Sequence, residues 1–169
     1  MRVTDVLTAD HARLHGLLAQ AVRGPFDHLA FEQFRAGLLR HIGIEEKLVF
    51  AEARRRMGGH FEAANRLKIE HAALTSLLVP TPDGTLAAEI QGLLDAHDAK
   101  EEGPDGVYAQ CEAVLGDSSP ALAEAAQRYP AVPTARHFDG PAAHRTARAA
   151  LDSAERAFAR RQQRRDPGG

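Results

Sequence analysis

In the stretch RHIGIEEKLVFAE, from Arg40 to Glu52, His41 and Glu45 stand four residues apart. On a helix that spacing sets one side chain above the other, so an imidazole and a carboxylate would share one face. The rest of the face is apolar: at alternating steps of three and four it runs Phe31, Phe34, Leu38, His41, Glu45, Leu48. A carboxylate buried there without a strong partner would cost several kcal/mol. The spacing recurs at His97 and Glu101, at the end of the stripe Leu86, Ile90, Leu93. Two such pairs on two core faces point to one shared cation site. Imidazole and carboxylate donors without a thiol suit iron, manganese or zinc.

The elements that must position these groups follow from the same periodicity. A first helix is expected from Thr4 to about Val22 on the stripe Leu7, His11, Leu14, Leu18, Val22, with Thr4 or Asp5 as its cap. Gly24 and Pro25 end it, and a second helix runs from about Phe31 to Met57, stopped by Gly58 and Gly59. The third spans about Phe61 to Leu78 with Ala64, Leu67, His71, Leu74 and Leu78 on one side, before the turn Pro80 to Gly84. The fourth begins near Thr85 and is broken or kinked at Gly103 and Pro104, beyond which Val107, Tyr108, Cys111, Val114 and Leu115 resume a helical stripe. Short connections make these an up-down-up-down four-helix bundle in an all-α fold. Each helix places one histidine on its own core face: His11, His41, His71 and His97.

The bundle is expected over residues 1–116, and residues 117–169 form a C-terminal helical extension with a basic tail. In it Pro120 to Tyr129 suits a short helix and Pro130 to Pro141 a connector. Ala142 to about Arg161 is a last amphipathic helix, with Ala147, Leu151, Ala154 and Phe158 on one side. That thin face would lie across the bundle or meet a second copy in a homodimer. Arg160, Arg161, Arg164, Arg165 and the stretch Asp166 to Gly169 read as a solvated, frayed end.

Composition narrows the function. With 169 residues, 44% hydrophobic and 26% charged, the chain suits one ordinary globular domain and its extension. A net charge of −2 provides no global basic field, so no nucleic-acid partner is expected. The one cysteine, Cys111, excludes an internal disulfide. The opening MRVTDVLTADHARLHG lacks a signal segment, and no apolar run spans a bilayer, so no membrane partner is expected and the cytoplasm is the expected compartment.

Four segments, DHARLHGLL at Asp10 to Leu18, HIGIEEKLVFAEARR at His41 to Arg55, RLKIEHAAL at Arg66 to Leu74 and HDAKEE at His97 to Glu102, resemble the hemerythrin-like family of cation-binding domains. The resemblance covers about residues 4 to 116. Ferritin-like di-iron bundles differ, since they place a histidine three residues after a glutamate. What the resemblance implies is a non-haem di-iron centre held by His11, His41, Glu45, His71, His97 and Glu101, with both glutamates bridging two irons. Manganese or zinc are the other ions such a set would take. The implied function is binding or reaction with a small-molecule oxidant or gas (oxygen, peroxide, nitric oxide), or sensing of iron or oxygen. A di-iron peroxidase or oxidase is the enzymatic alternative, and a metal-stabilised interaction module without redox chemistry is the other. An iron donor for cluster repair is disfavoured, because the related repair proteins carry a cysteine-bearing N-terminal segment absent here.

The oxygen-carrying relatives have a second histidine on the third helix, four residues from the first, whereas Leu67 and Thr75 stand four before and after His71. Of about twelve positions around two six-coordinate irons, about two would then stay open. Several neighbours carry alternative readings. His15 could be a ligand, fill that vacancy or be a partly exposed polar residue. Glu46, Glu70 and Glu102 adjoin proposed ligands but point about 100° away, towards solvent or the back of a ligand. Tyr108 could donate to a ligand carboxylate or to bound oxygen, or be a core aromatic, and Cys111 reads as core. His28, His60, His137 and His144 read as surface residues.

Overall fold

The structure, a computed structural model, describes residues 1–165, without the side chain of Arg165. The tail expected at Asp166 to Gly169 lies outside the described residues. Among the described residues every regular element is helical and none is a strand. No helix among them is long and apolar enough to cross a membrane.

Helix α1 spans Val3–Val22 and α2 His28–Ile44. A π-helical turn at Glu45–Val49 leads without interruption into α3, Phe50–Arg56. Then come α4 (Glu62–Leu77), α5 (Gly84–Glu102), α6 (Val107–Leu115), α7 (Ser119–Gln127) and α8 (Ala147–Arg165). Helix α1 is capped at Arg2, two residues before Thr4 and three before Asp5, the expected caps. There the Arg2 backbone N–H donates to Asp5 Oδ2 at 2.9 Å. Asp27 and Asp83 cap α2 and α5 in the usual way, accepting from the backbone N–H of Ala30 and Leu86 at 3.0 and 2.8 Å. Gly58 and Gly59, at φ of 71° and 96°, adopt the left-handed conformation that ends α3.

The expected stripes of the first four helices are buried up to Glu101 but for two residues, while Val114 and the stripe of the last helix are only partly buried. Val22 is 46% exposed, and Ala21 takes the last buried place in α1. Leu48 is only half-buried, while Val49 and Phe50 are fully buried. The cause is the π-turn, in which the Phe50 N–H donates to the Glu45 carbonyl five residues back. Its wider turn accommodates an extra residue, so the stripe after Glu45 resumes one position later than α-helical counting predicts.

Two apolar clusters result. One gathers Leu14, Leu18, Phe31, Phe34, Leu38, Leu74, Leu77 and Ile90, and the other Leu7, Ile44, Val49, Phe50, Phe61, Leu67, Tyr108 and Cys111. His11, His41 and His71 each fall along their helices between members of the two clusters, so a polar layer divides the core.

The C-terminal segment joins both clusters. Helix α7 packs on α1 and buries Ala123 and Ala126, while α8 packs on α4 and α5 with Ala150 buried and Ala147, Leu151 and Ala154 against the core. The Ala147 to Ala154 part of the α8 face is therefore packed within the chain, while Phe158 stays half-exposed beside a cleft. Between these helices, Phe138 N–H donates to the Val79 carbonyl at 2.9 Å and Thr81 N–H to Asp139 Oδ1 at 2.8 Å, fastening the connector to the α4–α5 turn. His137, expected at the surface, pairs with Glu32 at 2.6 Å in that connection.

Candidate metal centre

The apolar stripes turn His11 of α1, His41 of α2, His71 of α4 and His97 of α5 inward, and each is at most 4% exposed. Glu45 opens the π-turn and Glu101 lies at the end of α5, both at 0%. The structure brings all six together in two groups that share the glutamates: His11, His41, Glu45 and Glu101, and Glu45, His71, His97 and Glu101. Within each group the donor atoms lie within 4.8 Å of one another. These buried groups could hold a metal ion.

Each glutamate divides its oxygens between the groups. Glu45 Oε1 lies 3.3 Å from His41 Nε2 and its Oε2 3.2 Å from His71 Nε2. Glu101 Oε2 lies 3.3 Å from His11 Nε2 and its Oε1 3.2 Å from His97 Nε2. The Nε2 atoms of His71 and His97 are 3.1 Å apart. His41 Nε2, Glu45 Oε2 and Glu101 Oε1 are buried with no hydrogen-bond partner. Leaving such an atom unsatisfied costs about 1–3 kcal/mol. Convergent orphaned donors of this chemistry fit a cation.

The outer nitrogen of every imidazole meets a different carboxylate. His41 Nδ1 faces Asp10 at 3.1 Å, His71 Nδ1 faces Glu46 at 3.0 Å, His97 Nδ1 faces Glu70 at 2.8 Å and His11 Nδ1 faces Glu102 at 2.6 Å. With Nδ1–H donating outward, the Nε2 lone pair is aimed at the centre, as metal-binding histidines require. The pairs close a ring: α1 supplies the carboxylate for α2, the π-turn for α4, α4 for α5, and α5 for α1. Of the two readings of Glu46, Glu70 and Glu102, the place behind an imidazole is the one they occupy.

Burial disfavours charge at all these groups, and their mutual pairing overrides it. Burial would lower the His41 imidazole, yet the charge of Glu45 and the hydrogen bond to Asp10 lift it to about 10. His97 rises against burial to about 9 through Glu101 and Glu70. Burial and the Glu101 charge would raise Glu45, yet His41 and His71 hold it at about 2. Asp10, half-buried and so raised by burial, is brought to about 2 by His41 and Arg13. Without a cation, imidazolium and carboxylate therefore neutralise each other.

Tyr108 reaches the centre from α6. Its hydroxyl donates to Glu45 Oε1 at 2.5 Å and lies 3.2 Å from Glu101 Oε2 and 3.3 Å from His11 Nε2. Burial and the two carboxylates keep the phenol proton on well above the usual range. A tight turn places it there. Gly106 lies so close to the end of α5 that a Cβ would sit 2.4 Å from the Glu101 carbonyl oxygen, and its N–H donates to the Gly103 carbonyl at 2.8 Å. Cys111, one turn further on, is buried, and burial pushes its thiol up to about 12.

His15 stands outside both groups. Its Nε2 is 2.7 Å from Asp98 Oδ2, and Gln91 approaches its Nδ1 at 2.8 Å. Asp98 is itself buried, with Oδ1 unpartnered and 3.7 Å from His11 Nε2. No second imidazole comes from α4, where Thr75 is exposed and Leu67 is packed in the core. Sequence reasoning missed Asp10 and Asp98. The available signal was adjacency, since each immediately precedes or follows a core histidine just as Glu70 precedes His71.

A cleft of about 680 Å³ runs along α1 and the α5–α6 turn, lined by Thr8, Ala12, Glu102, Pro104 and Tyr108 among others. It brings solvent-accessible space to the tyrosine and to the carboxylate behind His11. No protein-family model matches this chain, and neither a curated protein nor a solved structure does.

Proposed function

We propose that this chain is a hemerythrin-like, non-haem di-iron protein that binds or reacts with a small oxidant or gas such as oxygen, peroxide or nitric oxide. The observation that carries the reading is the division of Glu45 and Glu101 oxygens between two imidazole pairs, with three of the converging atoms unpartnered. One ion would leave half of that donor set unused. Two would use both oxygens of each carboxylate as bridges, and an iron pair supplies electrons and Lewis acidity towards small oxidants.

The ring of outer carboxylates supports an up-down-up-down bundle. Asp10 and Glu70 precede the central residue of their helix, whereas Glu46 and Glu102 follow it. Reversing a helix reverses the sense in which successive side chains turn about its axis, so alternate helices must use opposite neighbours to reach round in one direction. This chain's residues hold the imidazoles in one tautomer, keep the centre dry between two apolar layers, and place the Tyr108 hydroxyl against both carboxylates. The cleft beside Tyr108 is the route by which a small molecule would approach.

The test is metal analysis of protein purified without added metal, followed by exposure of the reduced protein to oxygen, peroxide and nitric oxide under visible absorption. Two irons per chain and a spectral response to at least one of these are expected. A single zinc per chain with no response would overturn the reading. Turnover of peroxide with a reductant would identify the enzymatic form of the same function.

A further inference from the structure

The hydroxyl of Tyr108 has one proton and three close neighbours: Glu45 Oε1 at 2.5 Å, Glu101 Oε2 at 3.2 Å and His11 Nε2 at 3.3 Å. That proton can be donated to only one acceptor at a time. All three neighbours belong to the His11 and His41 group, and Glu45 Oε1 also faces His41 Nε2 at 3.3 Å. Donor atoms at right angles around one small cation, with bonds of about 2.1 Å, lie about 3 Å from one another. The 3.2 and 3.3 Å spacings from the Tyr108 oxygen to Glu101 and His11 are thus those of one ligand among others, the 2.5 Å contact to Glu45 being a short hydrogen bond, and Tyr108 is buried, 4% exposed.

We propose that Tyr108 is a metal ligand, binding as a phenolate the ion held by His11 and His41. This rests on the two-ion reading above and extends it. As the bond forms, the phenol O–H breaks, its proton goes to solvent and the oxygen's electron pair goes to the metal. The centre is then asymmetric. The His11 and His41 side has five protein donors, counting one oxygen from each glutamate, and the His71 and His97 side has four, which leaves the latter ion the larger number of open positions.

The chain has only two tyrosines, Tyr108 and Tyr129, which makes the test specific. Protein loaded anaerobically with ferrous iron and then oxidised in air is expected to show a phenolate-to-iron(III) absorption band, with tyrosine ring modes enhanced in resonance Raman spectra. Tyr129→Phe should retain both signals. Tyr108→Phe should lose both while still binding two irons. Should Tyr108→Phe fail to fold, ring-deuterated tyrosine in the Tyr129→Phe background must shift the enhanced modes. Two bound irons without the band, or a band that survives in Tyr108→Phe, would overturn the phenolate assignment and leave the two-ion reading standing. A wild-type protein that takes up no iron would overturn both.

Discussion

Each buried imidazole has an outer carboxylate at Nδ1, while its Nε2 faces Glu45 or Glu101 at the centre. The outer contact sets ring orientation and tautomer, and losing it costs a metal site about 10–100-fold in affinity. Glu46→Gln, behind His71, should weaken metal binding by about that factor with little change in the fold, as a competition titration with a chelator would show. Unchanged affinity would mean that His71 is held by packing alone. The central glutamates should behave differently. Glu45→Ala removes an oxygen from both groups and should lose both ions together, whereas His71→Ala should weaken mainly one. Equal loss in the two variants, measured as metal per chain, would argue against a shared carboxylate.

At the scale of elements, two departures from regular helix shape the centre. The π-turn begins at Glu45 and re-phases the stripe, so that Val49 and Phe50 seal the core below the carboxylate while Leu48 turns aside. The Gly103 to Gly106 turn lets α6 start against the end of α5 and delivers Tyr108 to Glu101. Gly106 has an ordinary φ of −67°, so its constraint is steric rather than conformational. Gly106→Ala would drive a Cβ to 2.4 Å from a backbone oxygen and should destabilise by about 1–3 kcal/mol while weakening metal binding. Gly92→Ala in α5 meets nothing within 4 Å and should stabilise by about 1 kcal/mol through helix propensity. Thermal melting of the two variants should move in opposite directions, and a shared sign would refute this account of the turn.

At the scale of the whole molecule, the two-ion reading makes stability depend on metal, and the polar layer makes it depend on pH. Chelation should lower the melting temperature, because it leaves two carboxylates and four imidazoles facing one another in the core. In the metal-free protein the raised histidines dominate above neutrality. Their contribution is complete below an unfolded pKa of about 6.5, and it is lost as pH rises through about 9 for His97 and about 10 for His41. The lowered Glu45 works at the other end: its contribution is present above an unfolded pKa of about 4.3, and it is lost as pH falls through about 2. The chelated protein should therefore lose melting temperature between about pH 6.5 and 10. Metal competes with those protons, so the increment that metal adds should grow over the same range. A chelated protein whose melting temperature stays flat or climbs there would contradict the pairing of these groups.

The sequence by itself determined which residues face inward and which elements carry them. Helical period converts spacing into a face, so Leu67, His71 and Leu74 or Leu93, His97 and Glu101 could be placed in the core without any knowledge of their neighbours. Glycine and proline signals placed most helix C-terminal ends for equally local reasons. What crosses between helices was decided only by the tertiary structure. That Asp10 serves His41 rather than solvent, that His15 is taken by Asp98, that Tyr108 meets both glutamates and that α8 lies on α4 all depend on the rotation and axial offset of one helix against another. Packing sets those two quantities, and the period of a single helix carries no information about either. The shift from Leu48 to Val49 has the same origin: a π-turn leaves no mark in local spacing, and it persists here where its surplus residue lets Glu45 face the centre and Phe50 fill the core together.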